Sequence, residues 1–551
     1  MKEEKTMTSA EAIVECLNRE QISKVFCVPG ESYLPVMDAI KKRQNIELIS
    51  ARHEGGASFM AEGYAKASGK PGVVLATRGV GASNLTIGVH TAYQDSTPMV
   101  VLLGQVHSGF RGREGFQEVD LEAFLRPISK WVAEIREPPR TAELVQRAFR
   151  IARTGRPGPV VLSLPEDVLK QTSSMVFQKA PVKIPKPKLS DSQIQDILDL
   201  LKGADRPVII AGGGIVASGA EASLRTFAEK NDIPVLAAFR RHDVYPNDSI
   251  HYVGHLGLGL DRGVKETVQR ADVILAVGTR LSEVTTQDYS LIQPWQKLIH
   301  IDISYDTLGT SFAPDVGCVA DAKESLHSLN ALSLNRTWEE WRKERRLVYE
   351  RTLTSRDETL NGQIIGHLQA TVPEDTIITN DAGNFAGWLH SFFQFRKDRT
   401  YIGPTSGAMG YGLPAAIGAK LASSTKKVVS LSGDGGFMMT MQELETAVRY
   451  HIPVISIVFN NRMYGTIRMH QEMHYPGEVI GTELGQVPFH EWANKVGAKG
   501  FYVKTASRFR EVLEEALQID GPVLIEIEED RERISVGATI DQIRERHMEE
   551  E

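Results

Sequence analysis

Residues 427–465 constrain the fold of this chain more than any other segment. They begin with an apolar run at 428–431, which leads into a turn at 432–436 that contains three glycines and one aspartate. A helical pattern over residues 440–450 follows, and a second apolar run at 453–459 ends in two asparagines. This order predicts a strand, a tight glycine turn, a helix and a second strand, which form one βαβ unit.

Both polar clusters of this unit follow the carboxyl ends of predicted parallel strands, where open α/β sheets bind ligands. Asp434 offers a carboxylate and Asn461 an amide oxygen, and Mg²⁺ prefers such oxygens together with phosphate oxygens and water. Gly435 and Gly436 allow backbone N–H groups to approach an anion. Asp-Gly is also a common turn, so the aspartate alone is weak evidence. The combination of the two clusters predicts a diphosphate held through a metal.

Composition and length limit the function classes. The chain has 551 residues, so two to four domains are expected. It is 42% hydrophobic and 24% charged, with a net charge of −7, which is ordinary for a globular protein and indicates no nucleic-acid partner. No run of 18 apolar residues predicts a membrane span, and no apolar signal segment is recognisable. Three cysteines lack metal spacing. The expected location is the cytoplasm.

Apolar runs alternate with helical patterns along the whole chain, which predicts an α/β fold with doubly wound parallel sheets. A proline-rich stretch at 171–190 is predicted to be a linker, and a charged stretch at 336–356 a connecting helix. The last residues, 541–551, are expected to be solvated and frayed. Three domains are therefore expected, with the boundaries 1–172, 190–335 and 360–535.

The glycine turn, the 24 residues after Gly433-Asp434-Gly435 and the asparagine pair resemble the thiamine diphosphate (ThDP) fingerprint of the acetolactate synthase and pyruvate oxidase family. The resemblance covers nearly the whole chain. It implies a pyrimidine-binding, a middle and a diphosphate-binding domain, in that order. It also implies ThDP- and Mg²⁺-dependent decarboxylation of a 2-keto acid, such as pyruvate, with carboligation.

The same resemblance implies a homodimer or homotetramer with active sites at the subunit interface. The sequence does not distinguish between these two assemblies, and it does not indicate whether a regulatory subunit exists. The expected partner is a small-molecule 2-keto acid, with neither nucleic acid nor membrane involved.

Two residues are implied to be catalytic. Glu54 stands in the stretch RHEGGASFMAEGYA, which is similar to the family motif whose glutamate hydrogen-bonds the aminopyrimidine ring of the cofactor. Taken alone, Glu54 would be an ordinary acidic residue at a helix start. Gln117 stands in the segment FQE, and the matching glutamine reaches the reacting centre across the subunit interface in acetolactate synthases. Taken alone, this segment would be an unremarkable loop.

The resemblance also implies the residues that hold the cofactor. Asp434, Asn461 and the backbone carbonyl of Met463 are the implied metal ligands. Met409 would wedge between the two rings of the cofactor, since methionine is long and adaptable. Acetolactate synthases have Gln-His where this chain has Asn-Phe at 384–385, so contact there is expected through the backbone. Besides Glu54, the implied cofactor-binding residues are Gly383, Asn384, Phe385, Gly407, Met409, Asp434, Gly435, Gly436, Asn461, Met463, Tyr464 and Gly465.

The acceptor pocket departs from the family pattern. Val284 stands where biosynthetic acetolactate synthases have an arginine for the carboxylate of the second substrate, and valine cannot pair with a carboxylate. Either the acceptor is not a 2-keto acid, or other residues bind it. The candidates are Arg468, His470, Gln471 and His474, which follow the metal site closely but would equally suit a surface helix.

A second cofactor stays open. The glycines at 212–214 give a weak dinucleotide signal because the full G-x-G-x-x-G spacing is missing. Some family members bind FAD in the middle domain, and Arg280 and Asp302 are compatible with it. His242, His251 and His255 are expected to be surface or packing residues.

Three alternatives to the carboligase remain from the sequence. A simple 2-keto acid decarboxylase or an aldehyde lyase would use the same cofactor. A nucleotide-dependent oxidoreductase would use the glycines at 212–214 and have no need for Glu54. A non-catalytic ThDP-binding protein would bind the cofactor without turnover, although an activating glutamate would then have no use.

Overall fold

Three parallel sheets of six strands each, flanked by helices, form the three units of the chain in the computed structural model. The structure describes residues 3–354 and 358–550. The predicted α/β fold class is confirmed. Nearly every central strand is buried along its length, as is expected when helices cover both faces of a parallel sheet.

The first unit has the strand order β3-β2-β4-β5-β7-β6 and an additional antiparallel pair, β1 and β8. Its first helix begins with a capping box, in which Thr8 and Glu11 satisfy each other's backbone N–H groups. The strands are β1 (Glu3–Thr8), β2 (Lys24–Cys27), β3 (Glu47–Ser50), β4 (Gly72–Thr77), β5 (Met99–Gln105), β6 (Trp131–Glu134), β7 (Pro159–Pro165) and β8 (Thr172–Phe177). The helices are α1 (Ser9–Arg19), α2 (Leu34–Arg43), α3 (Glu54–Ser68), α4 (Arg78–Asp95), α5 (Leu121–Leu125), α6 (Thr141–Arg153) and α7 (Glu166–Lys170).

The second unit has the strand order β11-β10-β9-β12-β13-β14. The strands are β9 (Pro207–Ala211), β10 (Val235–Ala237), β11 (Tyr252–His255), β12 (Val273–Val277), β13 (Lys297–Asp302) and β14 (Val316–Val319). The helices are α8 (Asp191–Gly203), α9 (Gly213–Ser218), α10 (Glu221–Asn231), α11 (Arg262–Arg270) and α12 (Ala322–Asn330). The connecting helix predicted over 336–356 is observed as α13 (Glu339–Thr354). Residues 355 and 356 of that prediction lie outside the described residues.

The third unit has the strand order β16-β15-β17-β18-β20-β19. The strands are β15 (Ile377–Asn380), β16 (Tyr401–Ile402), β17 (Val428–Gly433), β18 (Ile455–Asn460), β19 (Lys499–Val503) and β20 (Val523–Glu528). The helices are α14 (Leu360–Thr371), α15 (Ala386–Phe392), α16 (Gly412–Ala422), α17 (Asp434–Thr440), α18 (Glu443–Arg449), α19 (Gly465–His474), α20 (Phe489–Val496), α21 (Ala506–Ala516) and α22 (Ile540–Glu550).

Three local predictions were wrong. The helix predicted over 440–450 begins earlier and is split in two, as α17 and α18, because the apolar pattern did not show that the glycine turn itself is helical. The predicted linker at 171–190 includes β8, which pairs with β1 from the other end of the unit. Of the tail predicted to fray, residues 541–550 lie in α22, which is held through an ion pair of Arg544 with the buried Glu472, and residue 551 lies outside the described residues.

The first and third units pack through α3 and α16, and small residues allow their backbones to touch. A Cβ atom added to Gly418 would lie 2.0 Å from the backbone oxygen of Met60, and one added to Gly63 would lie 2.4 Å from that of Ala415. Only glycine fits at these two positions. Within the described residues, no helix is long and apolar enough to cross a membrane.

Candidate active site

The two polar clusters of residues 427–465 lie side by side at the carboxyl edge of the third sheet. Gly433 at the end of β17 is the neighbour of Phe459 near the end of β18. Asp434 begins α17, is 5% exposed, and accepts hydrogen bonds from the backbone N–H groups of Gly435 and Arg462. Burial raises the pKa of Asp434 to about 6. One buried carboxylate therefore joins both loops.

The second cluster presents further oxygens just after β18, the strand next to β17. Asn461 Oδ1 accepts from the Met463 N–H at 3.1 Å, and the Met463 carbonyl accepts from the Gly465 N–H at 3.0 Å. Each oxygen keeps a second lone pair. Tyr464 is fixed by its N–H, which donates to the Thr482 carbonyl at 2.9 Å. The described residues contain no group of three or more His, Cys, Asp or Glu that could hold a metal alone.

Asp381 precedes the loop at 383–385, and no role was predicted for it from the sequence. It follows β15, is fully buried, and accepts from the Ala382 N–H at 2.9 Å and the Gly410 N–H at 3.0 Å. A Cβ on Gly436 would lie 2.9 Å from Asp381 Oδ2. Burial raises the pKa of Asp381 to about 6. It thus joins the glycine turn to the 407–410 loop. Its position directly after a predicted strand was the available signal.

The loop at 383–385 uses its side chains for structure. Asn384 Nδ2 donates to the Ile534 carbonyl at 2.9 Å, and its Oδ1 accepts from Thr466 Oγ1 at 2.9 Å. Phe385 is buried and stacks on Phe459, with ring centroids 5.5 Å apart. Only the backbone of these two residues is therefore left for a ligand. Gly383 has φ +153°, and a Cβ there would lie 2.7 Å from the Phe385 ring.

Gly407 and Met409 lie on the loop before α16. Gly407 has φ +67° and is exposed, with no heavy atom within 4 Å of where a Cβ would stand. Met409 is half-buried. This loop is thus an open surface with a left-handed backbone that favours glycine.

Glu54 begins α3 and is 9% exposed. Asn84 on α4 donates from Nδ2 to Glu54 Oε2 at 2.9 Å. A Cβ added to Gly81 would lie 3.4 Å from Glu54 Oε1. Asn84 therefore orients the carboxyl group through Oε2, while Oε1 remains available for a ligand. Sequence reasoning missed Asn84, since no local pattern relates it to a residue 30 positions earlier.

The residues before Glu54 are anchored to the third unit. The Glu443 carboxylate accepts from the N–H groups of Arg52, at 3.1 Å, and His53, at 3.0 Å. Glu443 is fully buried, and burial raises its pKa to about 7. Helix α18, which follows the glycine turn, thereby fixes the start of α3 in the same chain.

Gln117 lies in the loop after β5, with φ +64° and a half-buried side chain. Its carbonyl accepts from the Gly79 N–H at 3.0 Å. The neighbouring Phe116 is 74% exposed. Gln117 therefore belongs to the same sheet edge as Glu54, because β3, β4 and β5 are parallel strands of one sheet.

In the part of the chain that the structure describes, Glu54 and the residues expected to hold the metal do not contact one another through polar groups. No hydrogen bond or ion pair within residues 3–354 and 358–550 joins Glu54 to Asp434 or Asn461. Apolar side chains stand exposed beside each half: Val80 (49%) and Ile87 (42%) on α4, and Met438 (50%) and Met439 (48%) on α17. Two incomplete halves with exposed apolar neighbours are typical of a surface that is covered in an assembly.

The four acceptor candidates lie on α19, where two of them are exposed and the other two are bonded to other residues of the chain. Arg468 forms ion pairs with Glu472 at 2.8 Å and with Glu483 at 3.5 Å, so its guanidinium group is engaged within the protein. His470 and His474 are exposed, with parallel rings whose centroids are 6.3 Å apart. Gln471 donates to the Ile480 carbonyl at 2.9 Å. Within residues 3–354 and 358–550, none of the four forms a hydrogen bond or ion pair with Asp434.

The middle unit borders a cavity of about 590 Å³ that also reaches the first unit. Arg156, Arg241 and Arg280 line it together with Asp302 and the glycines at 213–214. Burial, reinforced by Arg156, lowers the pKa of Arg280 to about 10. Arg241 is paired with Asp95 at 3.2 Å, whereas Arg156 and Arg280 form no ion pair within residues 3–354 and 358–550, so these two groups could pair with an anionic ligand.

His242 and His255 are packing residues, as predicted. They lie with His390 in a buried cluster in which the His242 and His390 rings stack at 4.3 Å. Burial lowers the pKa of all three, that of His255 to about 4, so they pack as neutral rings. His251 is also buried and lies 3.3 Å from Asp232.

Known protein families match each of the three units. The description "Thiamine pyrophosphate enzyme, N-terminal TPP binding domain" matches residues 7–124. The central domain of the same enzymes matches residues 194–329, and their C-terminal TPP binding domain matches residues 381–527.

Full-length relatives give the same result. The chain is 35% identical to the probable acetolactate synthase large subunit of Methanocaldococcus jannaschii, over 95% of this chain and 92% of that protein. It is 34% identical to the acetolactate synthase large subunit of Buchnera aphidicola subsp. Schizaphis graminum, over 93% and 92%. It is 32% identical to the acetolactate synthase isozyme 3 large subunit of Escherichia coli K12, again over 93% and 92%.

Proposed function

The chain belongs to the thiamine pyrophosphate enzymes, and from this premise we propose that it is an acetolactate synthase-like enzyme. It decarboxylates a 2-keto acid, with pyruvate as the donor, and transfers the resulting acyl unit to an acceptor. The observation that carries the proposal is the buried Asp434 carboxylate, which joins the glycine turn to the Asn461 loop at the carboxyl edge of the sheet.

The donor set fits Mg²⁺ and a diphosphate. Asp434 is buried, its pKa is raised by burial, and no cation of the described residues is paired with it. A divalent cation would therefore remove an unfavourable buried charge. Asp434, Asn461 Oδ1 and the Met463 carbonyl are hard oxygen ligands, which leave positions for phosphate oxygens and water. Gly435 and Gly436 at the start of α17 supply backbone N–H groups for the diphosphate.

Residues from three loops would hold the rest of the cofactor. Gly407 and Met409 would contact its rings, and the backbone at Gly383 and Asn384 its diphosphate. Bound ThDP supplies a carbon nucleophile and takes up the electron pair that decarboxylation releases. Glu54 would hold a proton at the pyrimidine ring nitrogen through Oε1. Asn84 keeps Oε2 occupied and so fixes the direction in which Oε1 points.

We propose a homodimer as the smallest active assembly. Glu54 and Gln117 of one subunit would meet Asp434, Asn461 and Met409 of the other. The exposed apolar side chains on α4 and α17 support this, because they flank both incomplete halves. The relatives are named large subunits, so we assign this chain the catalytic role in any larger complex.

Proton NMR of the purified protein with pyruvate, ThDP and Mg²⁺ tests the reaction. Acetolactate from the wild type, with at least about 100-fold less from Glu54→Gln, is the expected result, since a positioned proton-transfer group contributes about that much. Acetaldehyde alone would instead support a simple decarboxylase. Unchanged pyruvate in the presence of bound ThDP would contradict pyruvate as the donor.

The metal assignment has a test without substrate. Asp434→Asn should weaken Mg²⁺-dependent ThDP binding, measured by calorimetry, by at least about tenfold, because a charged ligand is replaced by a neutral one. Asp530→Asn is the matched control, since Asp530 is exposed and, among the described residues, accepts a hydrogen bond only from the Glu532 N–H of its own loop. Equal ThDP affinity in both variants would contradict Asp434 as a ligand.

FAD is the second cofactor to test. The arginine-lined cavity of the middle unit has the charge that a dinucleotide diphosphate needs. Flavin absorbance in the purified protein, or its appearance with added FAD, would support FAD binding there. A protein that stays colourless and does not retain FAD on gel filtration would contradict it. The same measurement with NAD tests the oxidoreductase alternative.

A further inference from the structure

Arg78 has a conformation that its residue type does not favour. It is the first residue of α4, directly after β4, and has φ +41° while only 7% of its surface is exposed. A left-handed backbone brings the Cβ atom of an ordinary residue too close to the chain. Such strain persists only where the surroundings hold it, and it is frequent at functional sites.

The guanidinium group of Arg78 is held by two carboxylates and reaches a third partner. Nη2 lies 3.1 Å from Glu166 Oε2, at the start of α7, and Nη1 lies 3.2 Å from Glu31 Oε1, after β2. Nη1 also approaches the Phe116 carbonyl at 3.5 Å, with the Phe116 ring 6.0 Å from the guanidinium carbon. Arg78 therefore connects three strand ends to the loop that carries Gln117.

The next residue makes a second connection to the same loop. The Gly79 N–H donates to the Gln117 carbonyl at 3.0 Å, so residues 78 and 79 contact two consecutive carbonyls of the loop. A Cβ on Gly79 would lie 3.0 Å from that carbonyl oxygen. Glu118 accepts from the Gly112 N–H at 2.8 Å and so braces the loop internally. Nearer its start, the loop is tied to other elements, because Arg111 pairs with Glu134 at 3.1 Å and the Ser108 N–H donates to Asp167 at 2.9 Å.

We propose that Arg78 is a positioning residue for Gln117, and that Glu31 and Glu166 hold Arg78 in place for this role. The inference rests on the proposed function, because Gln117 acts on the reaction only there. Arg78 does not contact the reacting atoms. Its two acidic partners neutralise its charge, so it serves to fix the loop rather than to bind an anionic substrate.

A double-mutant cycle separates positioning from a general structural effect. Arg78→Met should lower kcat/KM about tenfold in the wild type and less than about twofold in Gln117→Ala, because a residue that acts through Gln117 has nothing left to position. Glu166→Gln should act in the same direction with a smaller loss. Equal losses in both backgrounds would overturn the proposal.

Arg19→Met is the matched control. Arg19 also pairs with two carboxylates, Glu3 and Glu15, and its guanidinium carbon lies 4.6 Å from the Phe177 ring. It lies on α1, away from the Gln117 loop. This variant should keep kcat/KM within about twofold of the wild type.

Hydrogen exchange in the cofactor-free protein gives a readout that needs no substrate. The amides of residues 108–120 and of Gly79 should exchange faster in Arg78→Met and Glu166→Gln than in the wild type. In Arg19→Met the exchange rates of these amides should equal those of the wild type. Unchanged exchange of the loop in both test variants would overturn the positioning role. A wild type without turnover would refute the proposed function, while the exchange result would still decide whether Arg78 holds the loop.

Discussion

Asn84→Ala should separate catalysis from stability at the Glu54 site. Among the described residues, Asn84 Nδ2 alone donates a hydrogen bond to the Glu54 carboxyl, at 2.9 Å, and Glu54 is 9% exposed. Asn84 itself is exposed on α4. Removing its amide therefore leaves the fold intact and frees Glu54 to rotate away from the direction that catalysis needs.

The magnitude follows from the kind of hydrogen bond. A hydrogen bond to a charged group contributes about 1.5 to 3 kcal/mol, and water cannot fully replace it at the buried Glu54. If this energy is used in the transition state, kcat/KM falls about 10- to 150-fold. Stability should be unchanged or slightly higher, since alanine favours a helix by up to about 0.7 kcal/mol over asparagine.

Steady-state consumption of pyruvate at saturating ThDP and Mg²⁺ measures the effect, and thermal unfolding measures stability. Ser83→Ala is the control on the same helix, because the Ser83 hydroxyl bonds only the Gly79 carbonyl of α4. We expect it to keep kcat/KM within about twofold. An Asn84→Ala enzyme with wild-type kcat/KM would refute the argument that this hydrogen bond orients Glu54.

Two further predictions concern stability. Burial raises the pKa of Glu443 from 4.5 to about 7. Between these two pH values the folded state holds a proton that the unfolded state has lost. The free energy of unfolding therefore falls by about 3 kcal/mol as the pH rises from 4.5 to about 7. Glu443→Gln should flatten that fall in urea unfolding between pH 5 and pH 8; an equally steep profile would contradict the assignment. Gly418→Ala should lower stability by about 1 to 3 kcal/mol or more, because its Cβ would lie 2.0 Å from the Met60 carbonyl oxygen. Gly366→Ala in α14 should instead raise stability by up to about 1 kcal/mol, because no heavy atom lies within 4 Å of where the added Cβ would stand. A thermal-unfolding comparison that ranks the two variants the other way would contradict both statements.

The sequence alone determined the features that depend on neighbouring residues. The apolar runs that became β17 and β18, the glycine turn at 433–436 and the asparagines at 460–461 were recognisable because strand burial and turn geometry depend on local residue types. The same local patterns predicted α/β units with parallel sheets. They also indicated that Asp434 and Asn461 share one edge of a sheet.

Only the tertiary structure decided which distant residues meet. Asn84 contacts Glu54, Glu443 anchors the residues before Glu54, and Arg78 reaches the Gln117 loop, although 30 to almost 400 residues separate some of these partners. The pairing of β1 with β8 was missed for the same reason. The residue type determines which hydrogen bonds and ion pairs a side chain can form, but the packing of helices and sheets determines which residues lie against it. The roles of these residues therefore follow from the fold and not from any motif.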